Sequence, residues 1–213
     1  RKLIENFKKI KVLVIGEVII DQYVFCEALG KSGKEPMLVL RDIRTEEYLG
    51  GSAAISRHIS DFCKYITLFG MIGDQDNYDK KIKKDLSSNI KFQFIKKKNS
   101  PTILKKRFLD NIGNKKVLGV YKINDESLEK KNEKKFNNYL LSNLHKFDLV
   151  IVSDYGHGFI SRENAKLICK NSKSVALNAQ VNAANIGYHS MRKYNNIDCV
   201  IINERELRHQ MRN

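Results

Sequence analysis

The sequence predicts an α/β fold built on a mostly parallel β-sheet. From residue 127 onward, helix and strand patterns alternate, and an earlier strand–helix–strand unit at 11–21, 52–63 and 65–73 has the same rhythm. Parallel strands need long crossover connections, usually helices, so this alternation favours a parallel sheet. The segments within 22–49 alternate between apolar and polar residues. They predict half-exposed strands at the sheet edge or in a small β lobe over it.

The first elements run from a buried strand to a short helix. KVLVIGEVIID (11–21) is rich in β-branched apolar residues, which is typical of a buried parallel strand, and we expect it to end at Asp21. The helix at 52–63 has Ser52 as its expected N-cap. Its expected buried face has helical spacing and consists of Ile55, Ile59 and Phe62.

The remaining elements are predicted from apolar periodicity. A surface helix is expected at 77–88 and a long amphipathic helix at 127–147, whose buried face should carry Phe136, Leu140, Leu144 and Phe147. Further helices should begin near Ser161 and Glu204, with a short helical stretch ahead of the last strand. Strand candidates lie at 91–98, 102–110, 115–125, 148–152, 174–180 and 198–204.

Composition bears on the partners of the chain. With 39 Lys and Arg against 24 Asp and Glu, the formal net charge is +15, which is compatible with a nucleic-acid partner. The lysines are scattered and are not interleaved with aromatic residues as a base-stacking surface requires, so solvated faces are the favoured explanation. The sequence has no run of 18 apolar residues, which argues against a membrane span.

The cysteines and the N-terminus bear on the compartment. No CxxC motif or His/Cys cluster is present, so the sequence predicts no zinc site. Each cysteine has apolar neighbours, as expected of reduced, buried thiols, and this favours a cytoplasmic protein. There is no signal-peptide pattern, and because the first residue is not Met we expect a piece of a longer chain. The cysteines are Cys26, Cys63, Cys169 and Cys199.

Polar residues follow three predicted strands, at Asp21, in SDYGHG (153–158) and in INERE (202–206). Ligands of open parallel sheets bind at the carboxyl ends of the strands, so we expect these segments to contribute to one site. No G-x-x-x-x-G-K-[ST] or G-x-G-x-x-G motif is present. Gly50 and Gly51 precede the second helix. They indicate either a tight strand–helix turn or N–H groups offered to a hydroxyl-rich or anionic ligand.

Six segments in this order resemble the ribokinase/PfkB family of carbohydrate kinases. Three of them, IGEVIIDQY, PTILKKRF and SDYGHG, are most similar to its heptose-7-phosphate kinase branch, in which the kinase is often fused to a nucleotidyltransferase. The resemblance covers nearly the whole chain. The six segments are VLVIGEVIIDQYV, EYLGGSAAISRHIS, YITLFGMIGD, SPTILKKRFL, VIVSDYGHGFIS and CVIINERE.

The resemblance implies a ribokinase-like three-layer α/β/α core with a small β-sheet lid over a sugar. The lid would comprise strands within roughly 22–49, to which part of 91–125 could add. The implied reaction is ATP-dependent phosphorylation of a sugar or sugar phosphate, with Mg²⁺, in a homodimer formed through the lid. The residues that match the family's substrate site are Asp21, Gly50, Gly51, Lys105, Arg107 and Asp154. Those that match its N-x-x-E motif, which organises Mg²⁺ and phosphates through water, are Asn203 and Glu206.

The sequence also departs from the family pattern. Ala54 stands where many members have a sugar-binding Asn, and Asn178 and Gln180 stand where Asp and Lys are expected. His157 replaces a Lys after SDY, and a lone His in a turn is usually a surface residue or one behind the reacting groups. The family's catalytic Asp belongs to a G-A-G-D motif, which this sequence does not contain. The resemblance implies that this motif lies beyond Asn213, so no catalytic base is predicted within the sequence.

We therefore expect residues 1–213 to be the N-terminal two-thirds of a PfkB-type kinase domain, inactive alone and lacking the C-terminal part of the fold. A first alternative is a non-catalytic sugar-binding or dimerisation module attached to a nucleotidyltransferase. A second alternative, motivated only by the net charge of +15, is a nucleic-acid-binding protein.

Overall fold

The computed structural model describes residues 2–180 and 191–211. The helices are α1 (Lys2–Phe7), α2 (Gly51–Ile59), α3 (Tyr78–Asp85), α4 (Lys130–Asn143), α5 (Arg162–Asn171) and α6 (Glu204–Met211). The strands are β1 (Lys11–Lys31), β2 (Leu38–Gly50), β3 (Tyr65–Gly73), β4 (Ile90–Lys97), β5 (Ile103–Asp110), β6 (Lys116–Lys122), β7 (Leu149–Asp154), β8 (Val175–Ala179) and β9 (Cys199–Ile201). Two 3₁₀ turns lie at Leu144–Lys146 and Met191–Lys193.

Two of the sequence predictions fall outside the described residues. The short helical stretch expected before β9 lies partly on 181–190. Asn213, beyond which the resemblance places the catalytic Asp of the family, is also outside them. The position of the catalytic base therefore stays a prediction.

Six strands form a parallel sheet in the order β4-β3-β1-β7-β8-β9. The central strands β1, β3, β7 and β8 are largely apolar and buried in this sheet, as is typical of parallel strands covered on both faces, whereas β4 is partly exposed and β9 is exposed. The prediction of a mostly parallel sheet with flanking helices is confirmed.

Two apolar clusters, one on each face, make the three layers. On one face, α2 and α3 pack through residues such as Ala53 and Ile82. On the other, α4 and α5 pack through residues such as Phe136 and Ile168. The expected buried face of α4 is confirmed, since Phe136, Leu140 and Leu144 are buried and Phe147 packs against the same cluster.

β1 belongs to two sheets. Its first part, through Glu17, pairs with β3 in the parallel sheet, and from Ile19 onward it pairs with β2 and β5. The expectation that this strand ends at Asp21 is therefore wrong. No Gly or Pro interrupts the β-branched run there, and new partners take over the backbone hydrogen bonds, so the strand continues for 21 residues.

The second sheet, called here the mixed sheet, has the order β2-β1-β5-β6. β1 pairs with β2 antiparallel and with β5 parallel, and β5 pairs with β6 antiparallel. The segment 22–49 lies mostly in this sheet. Within 91–125, β5 and β6 belong to it, whereas β4 belongs to the parallel sheet.

Two details of α2 differ from expectation. Ser52 lies inside the helix rather than capping it, and its hydroxyl donates to the carbonyls of Gly16 and Glu17, each at 3.0 Å. The helix ends at Ile59, and Phe62 beyond it is 52% exposed rather than buried. The apolar spacing continued past the point where the backbone left the helix.

The cysteines are all free, but only Cys26 is buried, and Cys199 is exposed. The expectation of four buried thiols therefore holds for Cys26 only. Cys63 and Cys169 are partly buried, and Cys199 is exposed because β9 carries no covering layer among the described residues. Within 2–180 and 191–211, no helix is both long and apolar enough to cross a membrane.

Candidate functional site

The mixed sheet brings Asp21, Lys105 and Arg107 together. Asp21 lies opposite Lys105 in the β1–β5 ladder, and Arg107 lies opposite Tyr23, two residues further along. Because side chains alternate along a strand, all four point to the same face of the sheet. The Arg107 guanidinium donates to the Asp21 carboxylate in an ion pair.

Lys105 is buried on this face and lacks a carboxylate partner. Its residue is 7% exposed, and among the described residues no carboxylate approaches its ammonium within ion-pair distance. The ammonium lies 5.1 Å from the ring centre of Tyr155 and 6.0 Å from that of Tyr121. Burial lowers the pKa of Lys105, and the charge of Asp21 acts in the opposite direction. Two aromatic faces, together with charges beyond ion-pair distance such as that of Asp21, surround this cation.

Tyrosine rings frame the two cations. The Arg107 guanidinium lies 5.6 Å from the ring centre of Tyr23 and 5.7 Å from that of Tyr121. Tyr23 packs edge-on against Tyr48 at 5.9 Å between ring centres. The face therefore combines cations with apolar rings, a combination suited to a ligand with a charged group and a carbon skeleton.

Gly50 and Gly51 are needed for close packing against β1. A Cβ on Gly50 would lie 2.3 Å from the Asp21 Oδ2 atom, and one on Gly51 would lie 2.3 Å from the Glu17 carbonyl oxygen. Gly51 also has a φ of +59°, which side-chain-bearing residues rarely adopt. The tight-turn interpretation thus has a direct structural basis. Approach of this backbone to a sugar stays a prediction.

The Asp154 carboxylate is bound within the chain. It is 1% exposed, and its Oδ2 atom accepts from the Tyr194 hydroxyl at 2.5 Å and pairs with the Lys193 ammonium at 2.7 Å. Its Oδ1 atom accepts from the Gly156 N–H at 3.0 Å. The structure therefore places this side chain beneath the surface, at the carboxyl end of β7.

Asn203 and Glu206 form the N-terminal turn of α6. The Asn203 N–H donates to the Glu206 carboxylate at 3.0 Å, and the Arg205 N–H donates to the Asn203 side-chain oxygen at 2.9 Å. This reciprocal pairing is a capping arrangement. The turn borders an open cavity of about 560 Å³ that Asn178 and Gln180 also line.

Sequence reasoning missed Glu17. Its side chain is fully buried, and its two carboxylate oxygens accept from the backbone N–H groups of Tyr155 at 3.0 Å and His157 at 3.1 Å. Burial, followed by the charge of Asp154, raises the pKa of Glu17 to about 7. An acidic residue inside the buried run VIGEVII was the available signal, because a buried carboxyl needs partners.

His157 is buried, so the surface interpretation of this residue is wrong. It is 1% exposed, and its Nδ1 atom lies 2.6 Å from the Asp125 carboxylate. Burial lowers the pKa of His157, and the hydrogen bond with Asp125 acts in the opposite direction. The loop that carries it is fixed by Glu17 on one side and packs under the connection after β6 on the other.

The predicted residues come together only in part. Asp21, Lys105, Arg107 and the glycine pair share the mixed-sheet face, whereas Asp154 and the α6 turn lie at the carboxyl ends of the parallel strands. Tyr155 lies between these two groups of residues. Burial raises the pKa of its hydroxyl, and the negative charges of Glu17, Asp21 and Glu206 act in the same direction. Over the described ranges, three or more His, Cys, Asp or Glu side chains never gather as a metal site would require.

Comparison with known proteins identifies relatives of the chain. The family model described as "pfkB family carbohydrate kinase" matches residues 9–212. The bifunctional protein HldE of Campylobacter jejuni (strain RM1221) is 26% identical over 172 residues, which cover 79% of this chain and 34% of that protein. A D-beta-D-heptose 7-phosphate kinase of Bordetella bronchiseptica is 27% identical over 158 residues, covering 74% of this chain and 49% of that protein. The chain thus spans less than half the length of these relatives.

A solved structure has the same fold. Arabidopsis thaliana ribokinase complexed with ribose and ATP superposes with a TM-score of 0.58 at 18% identity, covering 94% of this chain and 62% of that one. At this identity the likeness concerns the fold alone. It confirms the prediction of a ribokinase-like three-layer core.

Proposed function

Because the chain belongs to the pfkB family of carbohydrate kinases, we propose that it binds a sugar phosphate on the face of the mixed sheet that carries Asp21, Lys105 and Arg107. The site would serve ATP-dependent phosphorylation of a hydroxyl on that sugar. Heptose 7-phosphate is the favoured substrate, since a relative that bears this name matches 74% of the chain.

The observation that carries the proposal is the unpaired charge of Lys105. A buried cation without a counter-charge is unfavourable, and an anionic ligand offsets that cost. Arg107 already has a carboxylate partner in Asp21, whereas Lys105 has none within ion-pair distance among the described residues. A phosphate accepts such donors in short, charge-assisted hydrogen bonds, while the neighbouring tyrosine rings suit the carbon face of a sugar.

Asp21 and the glycine pair are proposed to bind the sugar hydroxyls. One Asp21 oxygen is held by Arg107, which fixes the carboxylate, and the other lies against the backbone of Gly50. Because this carboxylate is already held in place and no side chain on Gly50 covers it, it can accept hydrogen bonds from sugar hydroxyls without a further loss of conformational entropy. The buried Asp154 would act indirectly, by orienting the loop that carries Tyr155.

ATP and Mg²⁺ are proposed to bind near the N-terminal turn of α6. The residues there fit this role, because Glu206 supplies a carboxylate oxygen and Asn203 an amide, both preferred by hydrated Mg²⁺, and Arg205 supplies a cation for phosphates. When bound, Mg²⁺ would neutralise charge on the transferring phosphoryl group. No residue of the 213 is assigned as the catalytic base, so we expect binding without turnover from this chain alone.

Calorimetric titration tests the proposed sugar-phosphate site. We expect heptose 7-phosphate to bind and Lys105→Met, which keeps the length of the side chain but removes its charge, to weaken that binding about 10- to 100-fold. Lys106→Met is the matched control, since Lys106 is the next residue and points to the opposite face of β5. Its affinity should equal that of the wild type.

Two results would contradict the proposal. Equal affinities of the wild type and Lys105→Met would remove Lys105 from the site. Equal affinities for the sugar phosphate and the sugar without phosphate would remove the anion-binding role. Binding without turnover in a longer protein that contains this chain would instead favour the non-catalytic module.

The mixed sheet is proposed to act as the lid and as a homodimer surface. Both of its edge strands, β2 and β6, expose large apolar side chains, namely Leu38, Ile43, Val117, Leu118 and Val120. Exposed edge strands with apolar side chains favour pairing with a second chain. A second copy would cover these residues and keep the two lids in register.

A further inference from the structure

Lys97 donates to a ring of backbone carbonyls. It is the last residue of β4, and the residue is 5% exposed. Its ammonium lies 2.6 Å from the carbonyl oxygen of Asn124, 2.5 Å from that of Glu126 and 3.3 Å from that of His157. These oxygens come from two separate segments, the connection after β6 and the loop after β7.

The carbonyls satisfy this ammonium completely. An ammonium has three N–H donors, and three acceptors surround it. Among the described residues no carboxylate pairs with it within 4.0 Å. Burial lowers the pKa of Lys97, and the more distant charges of Asp125, Glu17 and Glu126 oppose that change. Within the part of the chain that the structure describes, the direct contacts of this ammonium are therefore neutral carbonyl oxygens, and the carboxylates act on it only from beyond ion-pair distance.

The same loop is held from its other side by Glu17. The backbone N–H of His157 donates to Glu17, and the backbone carbonyl oxygen of His157, in the next peptide group, accepts from Lys97. The two segments also touch, because a Cβ on Gly158 would lie 1.9 Å from the Glu126 carbonyl oxygen, and Gly158 has a φ of +80°. The side chains of Glu17 on β1 and Lys97 on β4 therefore hold the two peptide groups that flank the His157 Cα.

We propose that Lys97 is a tethered monovalent cation, and that it positions the loop 155–158 by joining it to 124–126. Backbone carbonyls can replace the hydration shell of K⁺, as they do in ion-selective channels. Removing the Lys97 side chain would leave a cavity lined by these oxygens, which K⁺ or NH₄⁺ fits and choline does not. The consequence for the substrate site rests on the proposed function, since Tyr155 in this loop lies beside Lys105.

Cation rescue tests the proposal. We would measure the melting temperature and the amide exchange of Tyr155 and His157 for Lys97→Ala in choline, lithium, potassium and ammonium chlorides at equal ionic strength. We expect a loss of melting temperature and faster exchange in choline chloride, with at least half of each change reversed by K⁺ or NH₄⁺. Lys97→Met should lose stability without recovery, because its apolar side chain fills the cavity.

Lys91→Ala, at an exposed position of the same strand, is the matched control and should respond equally to all four salts. A Lys97→Ala variant that folds only in K⁺ or NH₄⁺ would support the proposal. Equal behaviour of Lys97→Ala in all four salts would overturn it, and so would failure to fold in every one of them.

Affinity for heptose 7-phosphate separates this inference from the proposed function. If Lys97 positions the loop for the substrate, Lys97→Ala should bind the sugar phosphate more tightly in K⁺ than in choline. Salt-dependent exchange with unchanged affinity would overturn the positioning role and leave the cation cage supported. Absence of sugar-phosphate binding by the wild type would contradict the proposed function, while the exchange measurements would still decide the cage.

Discussion

Two buried lysines, one in each sheet, differ in what surrounds their charge. Lys97, in the parallel sheet, donates to three carbonyl oxygens, whereas Lys105, in the mixed sheet, faces two tyrosine rings and has no carboxylate within ion-pair distance among the described residues. A saturated charge holds the fold, and an unsaturated one is available to a ligand. The burial of apolar side chains also differs along β1, since Leu13 in the parallel sheet is fully buried and Leu29 in the mixed sheet is 52% exposed.

The strand β1 therefore runs through two sheets in which buried charges are surrounded differently. In the central parallel sheet, the charged groups Glu17, Lys97 and Asp154 at the strand ends are bound by other groups of the chain. In the mixed sheet, apolar side chains such as Leu118 are exposed, and Lys105 is buried without a carboxylate within ion-pair distance among the described residues.

Phe136→Ala should cause the largest loss of stability. Phe136 is fully buried on α4 and stacks on Phe159 with ring centres 4.6 Å apart. Truncating such a side chain costs about 3–5 kcal/mol, whereas Leu118→Ala in the mixed sheet, at 54% exposure, should change stability by less than about 0.5 kcal/mol. Urea denaturation measures both. Similar losses would remove the distinction between the sheets.

Gly51→Ala should cause the next largest loss of stability, because Gly51 packs against β1 where this strand passes from one sheet to the other. Its positive φ and the nearby Glu17 carbonyl leave no room for a methyl group. We expect a loss of about 1–3 kcal/mol from backbone strain. Gly33→Ala, where nothing lies within 4 Å, is the control and should be nearly neutral. A neutral Gly51→Ala in the same denaturation assay would contradict the close packing of α2 on β1.

Glu17→Gln should change how stability depends on pH. The pKa of Glu17 is raised from 4.5 to about 7, chiefly by burial. Between these values the folded state binds more protons than the unfolded state, so the contribution of Glu17 to the free energy of unfolding falls as pH rises. The wild-type value minus the Glu17→Gln value should therefore decrease, on the order of 1 kcal/mol, from pH 4.5 to 7.

This pH dependence is measured by urea denaturation across the same range. His157 and Asp125 are present in both proteins, so their own contributions largely cancel in the difference. The exposed replacement Glu163→Gln gives the baseline. If the difference in free energy of unfolding between the wild type and Glu17→Gln stays flat or rises with pH, the pKa of the Glu17 carboxyl is not raised in the folded state.

Leu118→Lys should have the smallest effect on folding but should change assembly. Leu118 on β6 is 54% exposed and belongs to the proposed dimer surface, and Leu141 on α4 is 56% exposed but lies on the parallel-sheet half. A charge at the proposed surface should shift a dimer to monomers in sedimentation velocity, whereas Leu141→Lys should not. A wild type that is monomeric at high concentration would refute the dimer.

The sequence predicts the parallel half of the molecule well and the junction poorly. The bounds 65–73 of β3 and the buried face of α4 follow from apolar periodicity, which reports local burial. The continuation of β1 past Asp21 was not predicted because it depends on partners, β2 and β5, that lie elsewhere in the chain. Ser52 was expected to cap a helix, but carbonyls of β1 compete for its hydroxyl.

The residues of the candidate site were also predictable only in part. Motif resemblance pointed to Asp21, Lys105 and Arg107, which the fold places on one face, but it gave no reason to select Lys97 from the run IKKKNS. Its acceptors lie 27, 29 and 60 residues away in the chain. Neither periodicity nor spacing reports contacts of that range.

The continuity of β1 also has a mechanical consequence. The mixed sheet, which is proposed above as a lid, shares the continuous strand β1 with the parallel sheet rather than being joined to it by loops alone. In β1, only Val18 separates the last residue paired in the parallel sheet from the first residue paired in the mixed sheet. Val18 also bridges to Gly51. Any rotation of the mixed sheet must therefore twist the backbone at this point, directly beside Glu17 and the glycine pair. If the mixed sheet closes over a ligand as proposed, the movement would strain the backbone of β1 instead of rotating about a flexible loop.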